Sequence, residues 1–291
     1  MNIFLQTIIN GVIVGGTYAL MAVGLTFVLG FMDLVNFAHG ELYMLGAYFT
    51  YFFVVTIALP HIIGIPLAIL VAMLLGLLIE RFLLRPVWDK DILIRMLLTV
   101  GLMILIPNVI TVMLTAVPKK VPPPFTMSPF ILGNVRVAPI QLLIVLVSVF
   151  IIVLFHLFMQ RTRLGKAMRA TFQDKEVAMA MGIDTKKIYA YTFSIGCGMA
   201  AAGGAMLSMI YNVFPAMGAI TTTKAFAVVI LGGLGNFAGA ILGALIVGVS
   251  ESIAGTYISS GYKDAVAFIL LVLILMVKPS GIMGKKGGIE K

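Results

Sequence analysis

Residues 139–159 read Pro-Ile-Gln-Leu-Leu-Ile-Val-Leu-Val-Ser-Val-Phe-Ile-Ile-Val-Leu-Phe-His-Leu-Phe-Met, without one Asp, Glu, Lys or Arg. No other kind of feature constrains the fold as much. A helix of about 20 apolar residues crosses the hydrocarbon of a bilayer, where backbone groups left unpaired are costly, so such a run has to be helical. Comparable runs recur from end to end, at 3–30, 42–59, 62–79, 96–116, 188–214, 221–255 and 264–279. The chain is 61% hydrophobic and 11% charged, against about 45–50% and 25% in soluble domains. These proportions give an all-α integral membrane protein with a single domain over residues 1–291, and leave no stretch polar enough for a soluble domain.

The net charge of +9 comes from 20 Lys+Arg against 11 Asp+Glu. Its distribution argues against nucleic acid, because the basic residues gather in a few loops. Residues 80–95 hold Arg81, Arg85, Lys90 and Arg95, and residues 160–187 hold Arg161, Arg163, Lys166, Arg169, Lys175, Lys186 and Lys187. Positive loops stay on the cytoplasmic side. Loop 117–138, with its stiff Val121-Pro-Pro-Pro-Phe125 run, then lies outside, as does the amino terminus. The start of the chain lacks the basic n-region of a secretory signal, so the first run is expected to remain as a membrane helix. Cys197 is the one cysteine, so no intrachain disulfide can form.

Eight crossings would leave the tail outside, yet Lys278, Lys285, Lys286 and Lys291 favour the cytoplasm. Segment 221–255 is too long for one span and is interrupted by Gly232-Gly-Leu-Gly-Asn236. Dividing it into roughly 221–235 and 237–255 gives nine crossings and restores parity, so the expectation is eight to nine helices, some glycine-broken. Gly235, Gly239 and Gly243 fall four apart, as do Gly11 and Gly15. Small residues on one helix face let backbones approach closely in lipid, so these five are helix-packing candidates. Gly233-Leu-Gly-Asn-Phe-Ala238 also fits G-x-G-x-x-A, but no βαβ unit surrounds it and the dinucleotide reading is discarded.

Two polar stretches stand out. In Leu34-Val-Asn-Phe-Ala-His-Gly-Glu-Leu42, Asp33 and Asn36 can cap a helix and Glu41 suits a first turn. The topology places this stretch at the cytoplasmic end between the first two spans, as a bend or gate. In loop 160–187, Asp174 can cap a short helix running to Met181, with Gly182 as its stop. Val177, Ala178 and Met181 share one face of that helix.

Glu176-Val-Ala-Met-Ala-Met-Gly182 resembles the E-A-A-x-x-x-G coupling loop of ABC importer permeases, with Val177 in place of the first Ala. Arg163-Leu-Gly-Lys-Ala-Met-Arg-Ala170, Gly24-Leu-Thr-Phe-Val-Leu-Gly30, Val35-Asn-Phe-Ala-His-Gly-Glu-Leu-Tyr-Met-Leu-Gly-Ala-Tyr48 and Ala227–Gly243 resemble the branched-chain amino acid permease family, in its LivH-type branch. The resemblance implies a single permease domain that forms half of a translocation pathway in the bacterial plasma membrane. It also implies a second, LivM-like permease, two cytoplasmic ATPases that use ATP-Mg, and an extracytoplasmic solute-binding protein. Arg169, Glu176, Ala178, Met181, Gly182 and Ile183 would then couple to the ATPases, and Asn36, His39, Glu41 and Asn236 are the gate or pathway candidates. The cargo would be leucine, isoleucine, valine or another neutral amino acid, with urea or short amides as the alternative.

The chain itself carries no G-x-x-x-x-G-K-[ST] loop to cradle ATP, and no metal site or catalytic nucleophile is expected. A stand-alone channel or ion-coupled transporter would bury ionisable residues at mid-membrane. By sequence only His156 lies well inside a span, while Glu80, Glu251 and Asp264 fall near span ends.

Overall fold

The computed structural model describes residues 2–125, 128–132 and 135–284. Eleven α-helices are present among them: α1 (Asn2–Met32), α2 (His39–Tyr51), α3 (His61–Ile79), α4 (Ile92–Leu114), α5 (Pro139–Arg161), α6 (Arg163–Gln173), α7 (Lys175–Ala180), α8 (Thr185–Ser208), α9 (Met217–Gly232), α10 (Phe237–Tyr257) and α11 (Lys263–Val277). One π-helical turn, Phe52–Thr56, extends α2, and another, Glu80–Leu84, extends α3. Six of the described helices are long and apolar enough to cross a membrane: those over Ile3–Met32, His61–Val87, Ile92–Leu114, Pro139–Arg161, Thr185–Ser208 and Phe237–Tyr257. α9 and α11 are shorter apolar helices. Among the described residues the strands are confined to a hairpin in the Pro-rich connection, where β1 (Phe130–Leu132) pairs antiparallel with β2 (Val135–Val137).

The helices are arranged in shells. α2 and α8 bury almost every side chain, and the inner stretch of α1 from Tyr18 to Val28 is equally enclosed. α4 and α5 lie outside, with Leu97, Val112, Leu146 and Phe150 each more than 60% exposed. Apolar side chains facing outward from a polytopic helix belong against lipid, which removes any drive to bury them. Close approach at the centre depends on glycine. A Cβ at Gly204 of α8 would meet the Tyr43 carbonyl of α2, one at Gly46 would meet Ala201, and one at Gly76 of α3 would meet Cys197.

Gly11 and Gly15 pack α1 onto α10 at Gly248–Val249 and Ala244–Leu245, and Gly239 and Gly243 pack α10 onto α9 at Gly232 and Val228. Gly235 does not join that face. It sits in the turn between α9 and α10 at φ +76°, a left-handed conformation that side chains resist. The turn occupies the glycine break within 221–255, and the final segment straps it: Ile282 and Met283 donate backbone N–H groups to the carbonyls of Leu231 and Gly232. Lys285, Lys286 and Lys291 lie outside the described residues.

The bundle has two ends. One carries the basic connections 80–95 and 160–187 together with the α9–α10 turn. The other carries the Pro-rich connection, where Lys119 forms a bridge with Val213 and His61 bonds the Pro122 carbonyl at 2.8 Å.

Candidate functional site

α1 ends at Met32, and Asp33 adopts φ +47°, which turns the chain back into the bundle. Residues 33–36 have no regular structure. Phe37 donates its N–H to Thr99 Oγ1 of α4 at 3.3 Å, and Asn36 Oδ1 accepts the Ala38 N–H at 3.1 Å. α2 then starts inside the protein, where its first N–H groups have no water to bond. Gly40 solves part of this by donating to Thr222 Oγ1 of α9 at 3.0 Å. Glu41 lies in the first turn, at the positive end of the helix dipole, and its carboxyl group packs against Gly218 near the start of α9, where any Cβ would strike it.

His39 donates Nε2–H to the carbonyl of Met21 at 3.1 Å, because a carbonyl can only accept. Met21 is eleven residues before the end of α1, about 16 Å along the helix axis. Asn36, His39 and Glu41 are all 0% exposed. The stretch expected as a bend or gate at the cytoplasmic end folds inward and begins a helix with nearly all of its residues buried, between α1, α8 and α9. The capping expectation changes too, since Ala38 takes the N-cap position without a side-chain bond, and neither Asp33 nor Asn36 caps.

A second group was missed by the sequence reading. Lys224 Nζ of α9 lies 3.0 Å from Glu251 Oε1 of α10, with side chains 9% and 1% exposed. Lys224 also donates to Tyr18 Oη of α1 at 3.0 Å, and Tyr18 Oη lies 3.0 Å from Glu251 Oε2. Three helices are tied together by one buried acid, one base and one phenol. Glu251 lies six residues before the end of α10, near a span end as its sequence position suggests, but it is fully buried there. His156, by contrast, is on the exposed face of α5. The sequence signal for Lys224 was available: a lone lysine in an otherwise uncharged stretch from 217 to 250.

The basic connection 160–187 folds into α6 and α7 at the bundle's edge. Asp174 Oδ1 accepts the Val177 N–H at 2.9 Å and caps α7. Gly182, at φ +82°, ends it through paired bonds from Gly182 N–H to the Met179 carbonyl and from Ile183 N–H to the Ala178 carbonyl, the pattern of a Schellman motif. Ala178 is buried while Val177 and Met181 are 58% and 79% exposed. The three thus do not share one face: Ala178 anchors the helix, and Val177, Met179 and Met181 project outward. Arg169 and Glu176 are also exposed, and Ile183 is half-buried against the core. Asp184 caps α8 through the Lys187 N–H at 3.2 Å, which holds its carboxyl below the usual range. Lys175 lies over the Tyr189 ring, the Tyr189 ring lies tilted against Trp88, and Arg95 lies over Trp88. These contacts join α7 to the helix that holds residues 35–37.

Asn236 lies apart from the buried stretch, at the basic end. Its Oδ1 caps α10 through the Gly239 N–H and its Nδ2 donates to the Met283 carbonyl, each at 2.9 Å. It acts there as a clamp on the α9–α10 turn. Asn36 and Asn236 each precede a helix within the shared Asn-Phe-Ala sequence, but the structure places them in different surroundings.

Residues 7–275 match the model of a family described as branched-chain amino acid transport system / permease component. The chain belongs to that family. The permease is 36% identical to the high-affinity branched-chain amino acid transport system permease protein BraD of Pseudomonas aeruginosa, over 97% of this chain and 96% of BraD. It is 35% identical to the corresponding protein LivH of Escherichia coli over the same shares. Over 49% of its length it is also 30% identical to 46% of a probable branched-chain amino acid transport permease protein LivM of Methanocaldococcus jannaschii. The permease is thus a multi-pass membrane protein of a transport family.

Proposed function

We propose that this chain is one permease subunit of an ABC importer for branched-chain amino acids in the bacterial plasma membrane. It forms half of the pathway beside a second, LivM-like permease. The nine apolar helices α1 to α5 and α8 to α11 each cross or enter the bilayer, with the amino terminus outside and the basic end cytoplasmic. Two ATPase subunits dock at the basic end and use ATP-Mg, and a solute-binding protein delivers cargo at the Pro-rich end.

The observation that carries this reading is α7. It is a short helix, capped at both ends, held by Ala178 and presenting Val177, Met179 and Met181 beyond the bundle. An apolar tip on a rigid stub suits a groove on another protein. The contact is connected inward through Lys175, Tyr189, Trp88 and Arg95 to α4, whose Thr99 holds the turn before α2. Movement of α7 can in this way reach the buried His39 stretch.

The Lys224–Glu251 pair favours a second reading, an ion-coupled transporter that works alone, because buried ionisable pairs mark ion pathways. The test is substrate-stimulated ATP hydrolysis by the complex of this chain with its second permease, ATPases and binding protein in liposomes. Stimulation by L-leucine supports the importer. Leucine flux driven by a proton or sodium gradient through this chain alone supports the other reading.

A further inference from the structure

A cavity of about 270 Å³ lies between α1, α5, α8, α10 and α11. Its buried end is the carboxylate of Glu251, beside Thr17 and below Asn10 of α1. At its other end Lys263 lies over the ring of Tyr211, which is 42% exposed, so the cavity opens toward the Pro-rich end of the bundle. Ile13, Val14, Leu207 and Ile210 give the cavity apolar surface, and Gln141, Ser252 and Thr256 add polar groups to its wall.

We propose that this cavity is a transit subsite for a zwitterionic amino acid, its α-ammonium toward Glu251 and its α-carboxylate toward Lys263. The inference rests on the importer reading above and adds a binding site within this single subunit. Three observations lead to it. An acid at the floor and a base at the mouth match a ligand that carries both charges. Apolar surface with convergent polar groups is the usual make-up of a small-molecule site, and the Ile13, Val14, Leu207 and Ile210 surface suits the side chain of an aliphatic amino acid. Finally, Lys224 and Tyr18 fix the position of the Glu251 carboxyl group, its side chain 1% exposed, at the floor of the cavity.

Gly255 allows a clean test. It lines the cavity, and a Cβ there would meet only the Lys263 side chain, at ordinary van der Waals distance. Gly255→Leu therefore fills the cavity without forcing helices apart. L-Leucine uptake is measured in proteoliposomes holding the full importer, and L-leucine binding to the same complex without binding protein is measured by scintillation proximity. Assembly of each variant is verified by size exclusion. Gly255→Leu is expected to lower kcat/KM for uptake by at least about tenfold and to abolish binding, because the added side chain takes the space of the ligand. Lys263→Gln is expected to raise KM with kcat kept, and Lys263→Arg to restore KM. Gly101→Leu, on the outer face of α4 with nothing near its Cβ, serves as the control. An assembled Gly255→Leu complex with parental kcat/KM and binding overturns the subsite alone. A parental complex that neither binds nor imports L-leucine overturns the importer reading and the subsite together.

Discussion

Lys224 Nζ and Glu251 Oε1 are 3.0 Å apart, on opposite arms of the α9–α10 hairpin and 27 positions apart in the chain. Both groups were taken out of water to make this contact. The pair earns little net stability against an apolar substitute, but removing one partner leaves the other buried without its counter-charge.

Lys224→Met alone, or Glu251→Gln alone, is expected to destabilise the protein by about 3–5 kcal/mol. The double substitution is expected to recover most of that loss, because neither charge is stranded. Thermal unfolding of the purified chain in detergent measures the coupling. Additive losses in the double variant would show that the two groups do not act as a pair.

His39→Ala removes the bond to the Met21 carbonyl and leaves a small void beside Gly24. Transport is expected to fall by about tenfold or more while complex assembly persists, since α1 and α2 keep their packing on α8. His39→Gln, which can still donate to the carbonyl, is expected to retain more activity than His39→Ala. Uptake and size-exclusion profiles, read together, separate the two effects.

Gly182→Leu acts differently. No atom lies within 4 Å of a Cβ there, so the cost comes from the backbone at φ +82°, about 1–2 kcal/mol for a side chain in the left-handed region. That strain falls on the end of α7 and leaves the bundle intact. ATP hydrolysis per leucine imported is expected to rise several-fold as the proposed contact with the ATPase loses its geometry. An unchanged ratio would remove α7 from the coupling path.

The α8 cap carries a pH dependence. Asp184 has its carboxyl lowered chiefly by the Lys187 backbone N–H. A group with a depressed pKa stabilises above its unfolded value, near 3.8, and loses that contribution as pH falls through the lowered value. Amides 185–188 are expected to be better protected in the parent than in Asp184→Asn at pH 6, with the difference vanishing at acid pH. Hydrogen exchange of the two proteins at matched pH reads this directly.

Much of this architecture was legible from residue chemistry. The break at Gly232–Asn236 could be located because glycine and charge parity pointed to the same place. The caps at Asp174 and Gly182 could be located because helix ends are local events. The inward path of residues 33–38 could not, since it depends on His39 meeting Met21 and Thr99 meeting Phe37, contacts made only by the assembled bundle. Lys224 escaped for a related reason. It lies near the start of a long apolar run, and its depth became apparent only when α9 proved to begin at Met217 and to run beside Glu251. Gly235 kept its i, i+4 spacing with Gly239 but fell in the turn, where spacing no longer defines a face.

The most direct test of the account is uptake of L-leucine into proteoliposomes, measured with the complete importer and with this chain alone. The account predicts uptake that needs ATP, both permeases and the binding protein, and none by this chain alone under an ion gradient. Leucine accumulation by this chain alone, without ATP, would contradict it.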